Sequence, residues 1–201
     1  MANFEIAYAI TLGHEGLYSN DPNDSGGETY KGISRKYNPT WPGWQHIDNF
    51  INVFKLIEGN ELNSGLSKIL NLQTEVTKFY FDNYWVKAKL NNLPQPIANE
   101  IFDTGVNQGL NRAVSYLQKS LNILNNDQND YPDIKEDGIL GDRTLDIFHA
   151  YMKVPKSGRS ELRNISTIVK LLNGLQLNSY INLVVAKPSQ ERFMYGWINR
   201  T

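Results

Sequence analysis

The apolar positions of this chain recur mostly at helical spacing. Phe4, Ala7, Tyr8, Thr11 and Leu12 follow the three-to-four-residue repeat of one helix face. Asn3 predicts the N-cap of that helix, Glu5 suits its first turn, and Gly16 predicts its stop. The next eighteen residues, LYSNDPNDSGGETYKGIS, are turn formers between short β-prone pieces and predict a small hairpin or β-wing. A loop with Pro39, Pro42, Gly43 and two tryptophans follows. Beyond it, apolar spacing predicts helices over Leu66 to about Tyr84, Pro96–Val106, Arg112–Leu124, Thr144–Met152 and Ser160–Val185. Ser160 is the expected cap of the last, which carries a broad apolar face, and Pro188 opens a final helix ending near Arg200. Residues 125–141 read as a polar loop. The expected fold is mainly α, with one small β element near the N-terminus.

Composition narrows the chemistry. The 201 residues include no cysteine, and 20 Lys+Arg stand against 21 Asp+Glu for a formal net charge of −1. A disulfide framework, a thiolate metal site and a cysteine nucleophile are excluded. The balanced charge lacks the basic footprint of a nucleic-acid binder. No apolar run approaches the roughly 18 residues of a membrane span. The first residues show no basic run, and Glu5 interrupts their apolar stretch, so no signal peptide is expected. Synthesis in the cytoplasm is therefore expected, and action outside the membrane would follow export or lysis.

Several motifs fail on inspection. His14, His46 and His149 are far apart, with no i,i+4 partner, so no metal site is expected. DPNDSG opens like an EF-hand loop, but Gly32 falls where a bidentate Glu is required, and Pro22 is foreign to such a loop. DIKEDG fails likewise at Lys135 and Thr144. Neither GxxxxGK[ST] nor GxSxG occurs. Carboxylates remain. Glu15 falls at the predicted C-terminal end of the first helix, where the helix dipole and partial burial would raise its pKa. The turn-rich segment carries Asp21 and Asp24 back towards it, which would offer the paired carboxyl groups of glycoside hydrolysis. On spacing alone, a solvated helix end and an Asx-turn are the commoner explanation of the same residues.

HEGLYSNDPNDSGGETYKGIS resembles the opening of the lysozyme-like N-acetylmuramidases of glycoside hydrolase family 108. That segment reads roughly E-G-G-Y-x-x-x-P-x-D-x-G-G-x-T-x-x-G-I. The matching positions are Glu15, Gly16, Tyr18, Pro22, Asp24, Gly26, Gly27, Thr29, Gly32 and Ile33; Leu17 departs, where the family has a second glycine. Tyr84–Trp85, FDTGVNQG from Phe102, LQKSL from Leu117, DGILGDRTL from Asp137 and the closing ERFMYGWINR are similar to further family segments. The pair LQKSL and DGILGDRTL resembles the family's peptidoglycan-binding segment. Some members are labelled secretion activators.

The resemblance implies a lysozyme-like, two-lobed helical fold. It implies residues 1–109 as the catalytic region and residues 110–201 as a helical, peptidoglycan-binding-like region packed into the same globule. It implies cleavage of the β-1,4 bond between N-acetylmuramic acid and N-acetylglucosamine, with Glu15 as general acid and no cofactor. The spacing is also similar to that of phage-type lysozymes, where Glu, eight residues, Asp, five residues, Thr form a triad. Glu15 and Asp24 keep the first interval, whereas Thr29 falls one residue short of the second. Asp24 and Thr29 are therefore expected in the site, with Asp21 in reserve. Tyr18 and Gly27 are expected near substrate.

Other residues carry two readings each. Gly26, Gly27 and Gly32 permit positive-φ turns and close approach of a sugar, or simply make a tight hairpin. Asp103 and Asn107 share a helix face and could bind N-acetyl or hydroxyl groups, or form a polar helix end before Gly109. Trp41 and Trp44 could stack on sugar rings or plug a core edge. Trp85 and Trp197 read as structural, and Asp137–Gly138 as a turn anchoring the following helix. The expected partners are peptidoglycan glycan strands and a holin or other export factor. A lytic transglycosylase using the same acid, and a non-catalytic wall-binding or secretion-regulating protein, remain as alternatives.

Overall fold

The computed structural model describes residues 1–12, 17–20, 27–55, 58–154 and 160–201. The chain is mainly helical: α1 (Phe4–Leu12), the hairpin β1 (Thr29–Tyr30) and β2 (Ile33–Ser34), α2 (Gly43–Val53), α3 (Gly59–Ser67) and α4 (Leu70–Tyr80) come first. A π-helical stretch (Phe81–Val86) and a 3-10 turn (Leu90–Asn92) lead to α5 (Gln95–Gln108), α6 (Leu110–Leu124), α7 (Asp142–Lys153) and α8 (Glu161–Ala186). A 3-10 segment (Pro188–Phe193) and α9 (Met194–Ile198) close the chain. No described helix is long and apolar enough to cross a membrane. The chain divides into two compact units, one of Tyr8–Asn83 and one of Met1–Ala7 with Tyr84–Thr201.

In the unit of residues 8–83, helices α2, α3 and α4 pack together. The sequence predicts a loop where α2 begins, and the structure corrects this. Pro42 occupies the N-cap, where a missing N–H leaves nothing unsatisfied, and Gly43 lies against the Trp41 ring, so close that a Cβ would come within 2.2 Å of it. The punctuating residues thus start a helix. A second correction concerns Leu66–Tyr84, which is not one helix. Ile69 is extended (φ −78°, ψ 99°) between α3 and α4, and the Leu66 carbonyl accepts from the Ile69 amide at 3.2 Å and from Gln73 Nε2 at 3.0 Å. Gly65 lets α2 approach α3, since a Cβ there would meet the Phe50 ring at 2.1 Å.

In the second unit, α5, α6 and α8 form a mutually packed trio, with α7 against α6 and α8. Asn3 caps α1 as predicted, accepting from the Glu5 amide at 2.7 Å, and it exchanges hydrogen bonds with Gln95 on α5. Phe4, Trp85 and Phe102 meet edge to face at 5.7–6.1 Å between ring centroids. Ser160 caps α8, its Oγ accepting from the Arg163 amide. The buried positions of α8 form a narrow stripe of Asn164, Ile168, Leu172, Gln176 and Tyr180, not the broad apolar face expected. The predicted turn at Asp137–Gly138 is held by buried Gln118. Its Oε1 accepts from the Gly138 amide at 2.8 Å, while its Nε2 lies within 2.9–3.1 Å of Asp137 Oδ1, the Ile139 carbonyl and Thr144 Oγ1. Gly138 sits at φ +73°, with the Asn111 carbonyl 2.4 Å from where a Cβ would be, so only glycine fits.

Candidate active site

Glu15, Asp21 and Asp24, the three carboxylates singled out from the sequence, lie outside the described residues, as does Gly26. The residues flanking them are held by a well-defined arrangement. Lys31 (φ 46°) and Gly32 (φ 77°) form the two-residue turn of the hairpin, both left-handed, the geometry that matches the twist of paired strands. The register pairs Thr29 with Ser34 and Tyr30 with Ile33. Tyr30 and Ile33 are buried, so alternation leaves Thr29 and Ser34 on the opposite face, partly exposed. Ser19 extends this ladder: its amide donates to the Thr29 carbonyl at 3.0 Å, and the Thr29 amide donates to the Ser19 carbonyl at 2.8 Å. The chain is thereby tied to itself on either side of the segment that bears Asp21 and Asp24. Gly27 takes φ +65°, the left-handed conformation that glycine favours.

A polar clamp beneath the hairpin reinforces this tie, and sequence reasoning missed it. Tyr18 Oη donates to Glu28 Oε1 at 3.0 Å, and Arg35 Nη1 donates to Glu28 Oε2 at 2.9 Å. Arg35 also grips Asp48 of α2 with two bonds of 2.7 and 2.6 Å. The Arg35 guanidinium lies 5.2 Å from the Trp44 ring centroid, and the Tyr18 amide donates to Asn63 Oδ1 at 2.7 Å. Burial first, then the Glu28 charge and hydrogen bond, push the Tyr18 hydroxyl up to about 12. Tyr18 therefore keeps its proton and acts as a donor that fixes Glu28. Arg35's hydrogen bonds hold the Asp48 carboxyl below the usual carboxylate range.

Trp41 and Trp44 are buried, meeting edge to face at 5.1 Å, and their indole N–H groups donate to the Glu75 and Asn38 carbonyls. They support α2 and α4 from inside. The expected sugar-stacking faces are thus covered, and of the two readings the core one describes their position.

Asp103 and Asn107 belong to the other unit. They share a face of α5, and Asn107 Nδ2 donates to both the Asp103 carbonyl and its carboxylate. Asp103 also accepts from Gln176 Nε2 of α8 and from Arg200 Nη1, each at 3.2 Å. It thereby joins three parts of the chain. Burial raises the Asp103 pKa, against the lowering by those donors. One turn earlier, burial and the Asp103 charge push the Glu100 carboxyl up to about 7. Glu100 carries no sequence signal beyond its position on the helix. Among the described residues no group of three or more His, Cys, Asp or Glu side chains is arranged to hold a metal ion.

Comparison with known proteins places these residues in a class, a glycoside hydrolase joined to a peptidoglycan module. The chain belongs to the glycosyl hydrolase 108 family, whose model matches residues 8–109, and a predicted peptidoglycan domain matches residues 112–201. Together they make it a peptidoglycan hydrolase in the broad sense. A similar solved structure is that of Brucella abortus SagA, at 22% identity and a TM-score of 0.58, covering 98% of this chain and 88% of that one. At that identity the likeness shows the fold. No curated protein matches the chain.

Proposed function

We propose that this protein is an N-acetylmuramidase that hydrolyses the β-1,4 bond between N-acetylmuramic acid and N-acetylglucosamine. Glu15 donates its proton to the glycosidic oxygen as the bond to C1 of the muramic residue breaks. Asp24, with Thr29, orients the water that adds to C1 or stabilises positive charge there; Asp21 is the reserve for that role. The observation that carries this reading is the tie around the acidic segment. Ser19 and Thr29 are paired backbone to backbone, and the Tyr18–Glu28–Arg35–Asp48 clamp fixes both flanks. Catalytic groups need such rigid support to hold a productive geometry. Tyr18 is a positioning residue in this scheme. Residues 1–109 supply the catalytic region and residues 110–201 the wall-binding one. The protein reaches its substrate by export or lysis, for which a holin or similar export factor is the proposed partner.

The test is digestion of purified peptidoglycan with mass spectrometry of the products, wild type beside Glu15→Gln. Reducing muramic ends from the wild type, lowered on the order of 10²–10⁴-fold in the variant, are expected for loss of a general acid. Anhydro-muramic ends would replace the hydrolase with a transglycosylase. Intact strands from both proteins would defeat the enzymatic reading.

A further inference from the structure

The unit of Met1–Ala7 with Tyr84–Thr201 contains a pocket of about 370 Å³ that no role above accounts for. It lies where α5, α6, α8 and α9 meet, lined among others by Asn107, Arg112, Ser179, Tyr180, Asn182 and Trp197. Its size falls within the range of small-ligand sites, roughly 300–1,000 Å³. The chemistry of the lining is specific. Trp197 stacks on Tyr180, with ring centroids 4.9 Å apart and planes 16° apart, so one aromatic wall is rigid. Phe193 supports Trp197 from a tilted position at 5.8 Å. Trp197, read from the sequence as structural, is packed in that way and also lines the pocket.

Among the described residues, the pocket lining carries a cation without an ion-pair partner. Among the described residues, none that lines the pocket is acidic, and Arg112 is the one lining cation. The nearby Asp103 carboxylate is engaged by Arg200, Gln176 and Asn107. The Arg112 side chain is exposed and forms no ion pair among the described residues. An aromatic wall suits the apolar face of a sugar ring. Side-chain amides and a hydroxyl suit its acetamido and hydroxyl groups. A free guanidinium suits a carboxylate, which it can grip with two parallel hydrogen bonds.

We infer that this pocket binds a muramoyl-peptide unit of peptidoglycan, with the sugar against Trp197 and a stem-peptide carboxylate on Arg112. The inference rests on the peptidoglycan reading above and adds the recognised group. It also gives Asn107 a second set of neighbours, since Asn107 lines the pocket while bonded to Asp103.

The test uses the full chain and three probes that it has no glycosidic bond to cut. These are N-acetylmuramoyl-L-alanyl-D-isoglutamine, which bears one carboxylate, the same compound with that carboxylate amidated, and the dipeptide alone. Binding is followed by NMR through the Trp197 indole N–H and by titration calorimetry. The acid should bind about tenfold more tightly than the amide at low salt, as expected for one charge-assisted contact at a partly exposed site. The free dipeptide should bind at least about tenfold more weakly than the muramoyl form. Arg112→Gln should abolish the preference for the acid while leaving affinity for the amide, and Arg112→Lys should keep part of it. Equal binding of acid and amide, a preference that survives Arg112→Gln, an unmoved Trp197 signal, or equal binding of the free dipeptide would each overturn the assignment. Cleavage of peptidoglycan is scored separately. Activity without the acid preference sinks the pocket alone, and the preference without activity sinks the muramidase alone.

Discussion

The clamp under the hairpin makes a quantitative prediction. Tyr18→Phe removes one hydrogen bond to an ionised acceptor, and Glu28→Ala removes that bond together with the Arg35 contact. A hydrogen bond to a charged group contributes about 1.5–3 kcal/mol net. Glu28 is 17% exposed, so the lower end applies, about 1.5 kcal/mol for Tyr18→Phe. The Arg35 contact adds less. Arg35 is 35% exposed and retains both bonds to Asp48, which leaves about 0.5–1 kcal/mol. Glu28→Ala should therefore cost about 2 kcal/mol, with a coupling of about 1.5 kcal/mol in the double-mutant cycle, since both substitutions remove the same bond. A global unfolding curve averages over the two compact units and does not single out the hairpin. Hydrogen exchange is local. The Thr29 amide donates to the Ser19 carbonyl and the Arg35 amide to the Glu28 carbonyl, each at 2.8 Å, so both report opening of the hairpin. Glu28→Ala should lower their protection about thirtyfold, since 1.4 kcal/mol corresponds to a factor of ten. Hydrolysis of peptidoglycan should fall in the same variants. Protection within twofold of wild type, or no coupling between the two substitutions, would refute the clamp. Lost protection with full activity would refute its role in positioning the site.

Two further predictions concern the unit built on α5–α9. Glu100, pushed up to about 7, holds a proton in the folded protein that the unfolded chain releases above its ordinary 4.5. Stability should therefore fall as pH rises between those values, and Glu100→Gln should remove about 1–2 kcal/mol of that loss after allowance for partial exposure. Thermal unfolding at pH 4 and pH 8 checks this, and a variant no more stable than wild type at pH 8 contradicts it. Gln118→Leu keeps the volume but leaves the Gly138 amide and neighbouring acceptors without their partner, which should cost about 2–4 kcal/mol. Circular dichroism melts would show it, and a shift of less than about 1 °C would mean water replaces the amide.

The parts of this fold legible in the sequence are those in which one local signal decides the outcome. Ser160 and Asn3 read as caps because a short polar side chain can satisfy an amide two or three residues on, and both do. The apolar spacing of α5, α6, α7 and α8 marked them within a few residues of their ends. Helix α2 was illegible because Pro42, Gly43 and two tryptophans look like a loop until Gly43 is seen against the Trp41 ring. The break at Ile69 was hidden because the residues on both sides keep a helical pattern, and the Leu66 carbonyl at the break is satisfied by the Ile69 amide and by Gln73, a side chain on the next helix. At the candidate site, the left-handed turn was readable from Gly32, whereas the clamp was not. Tyr18, Glu28, Arg35 and Asp48 are separated by 10, 7 and 13 residues, spacings with no periodic meaning, and each alone resembles an ordinary solvated side chain.

Two segments noticed separately in the sequence prove to be halves of one cluster, and this explains why each contains the residues it does. FDTGVNQG supplies Asp103, and the closing ERFMYGWINR supplies Arg200, 97 residues further on, at 3.2 Å. A carboxylate as buried as Asp103, 13% exposed, is costly without donors. Gln176, Asn107 and Arg200 provide them from α8, from its own helix and from the end of the chain. The closing segment also places Trp197 on Tyr180, one turn along α8 from Gln176, whose Nε2 reaches the Tyr180 hydroxyl at 3.2 Å. Asp103 thus fixes the end of the chain against α5 and α8, and the end of the chain in turn supplies the aromatic wall of the pocket that Asn107 and Arg112 line. Helix α5 belongs to the segment matched as glycosyl hydrolase, whereas α8 and Trp197 belong to the segment matched as a peptidoglycan domain. The two are joined through a buried charge, so the helix that carries Asn107 cannot reorganise without disturbing the wall that Trp197 forms.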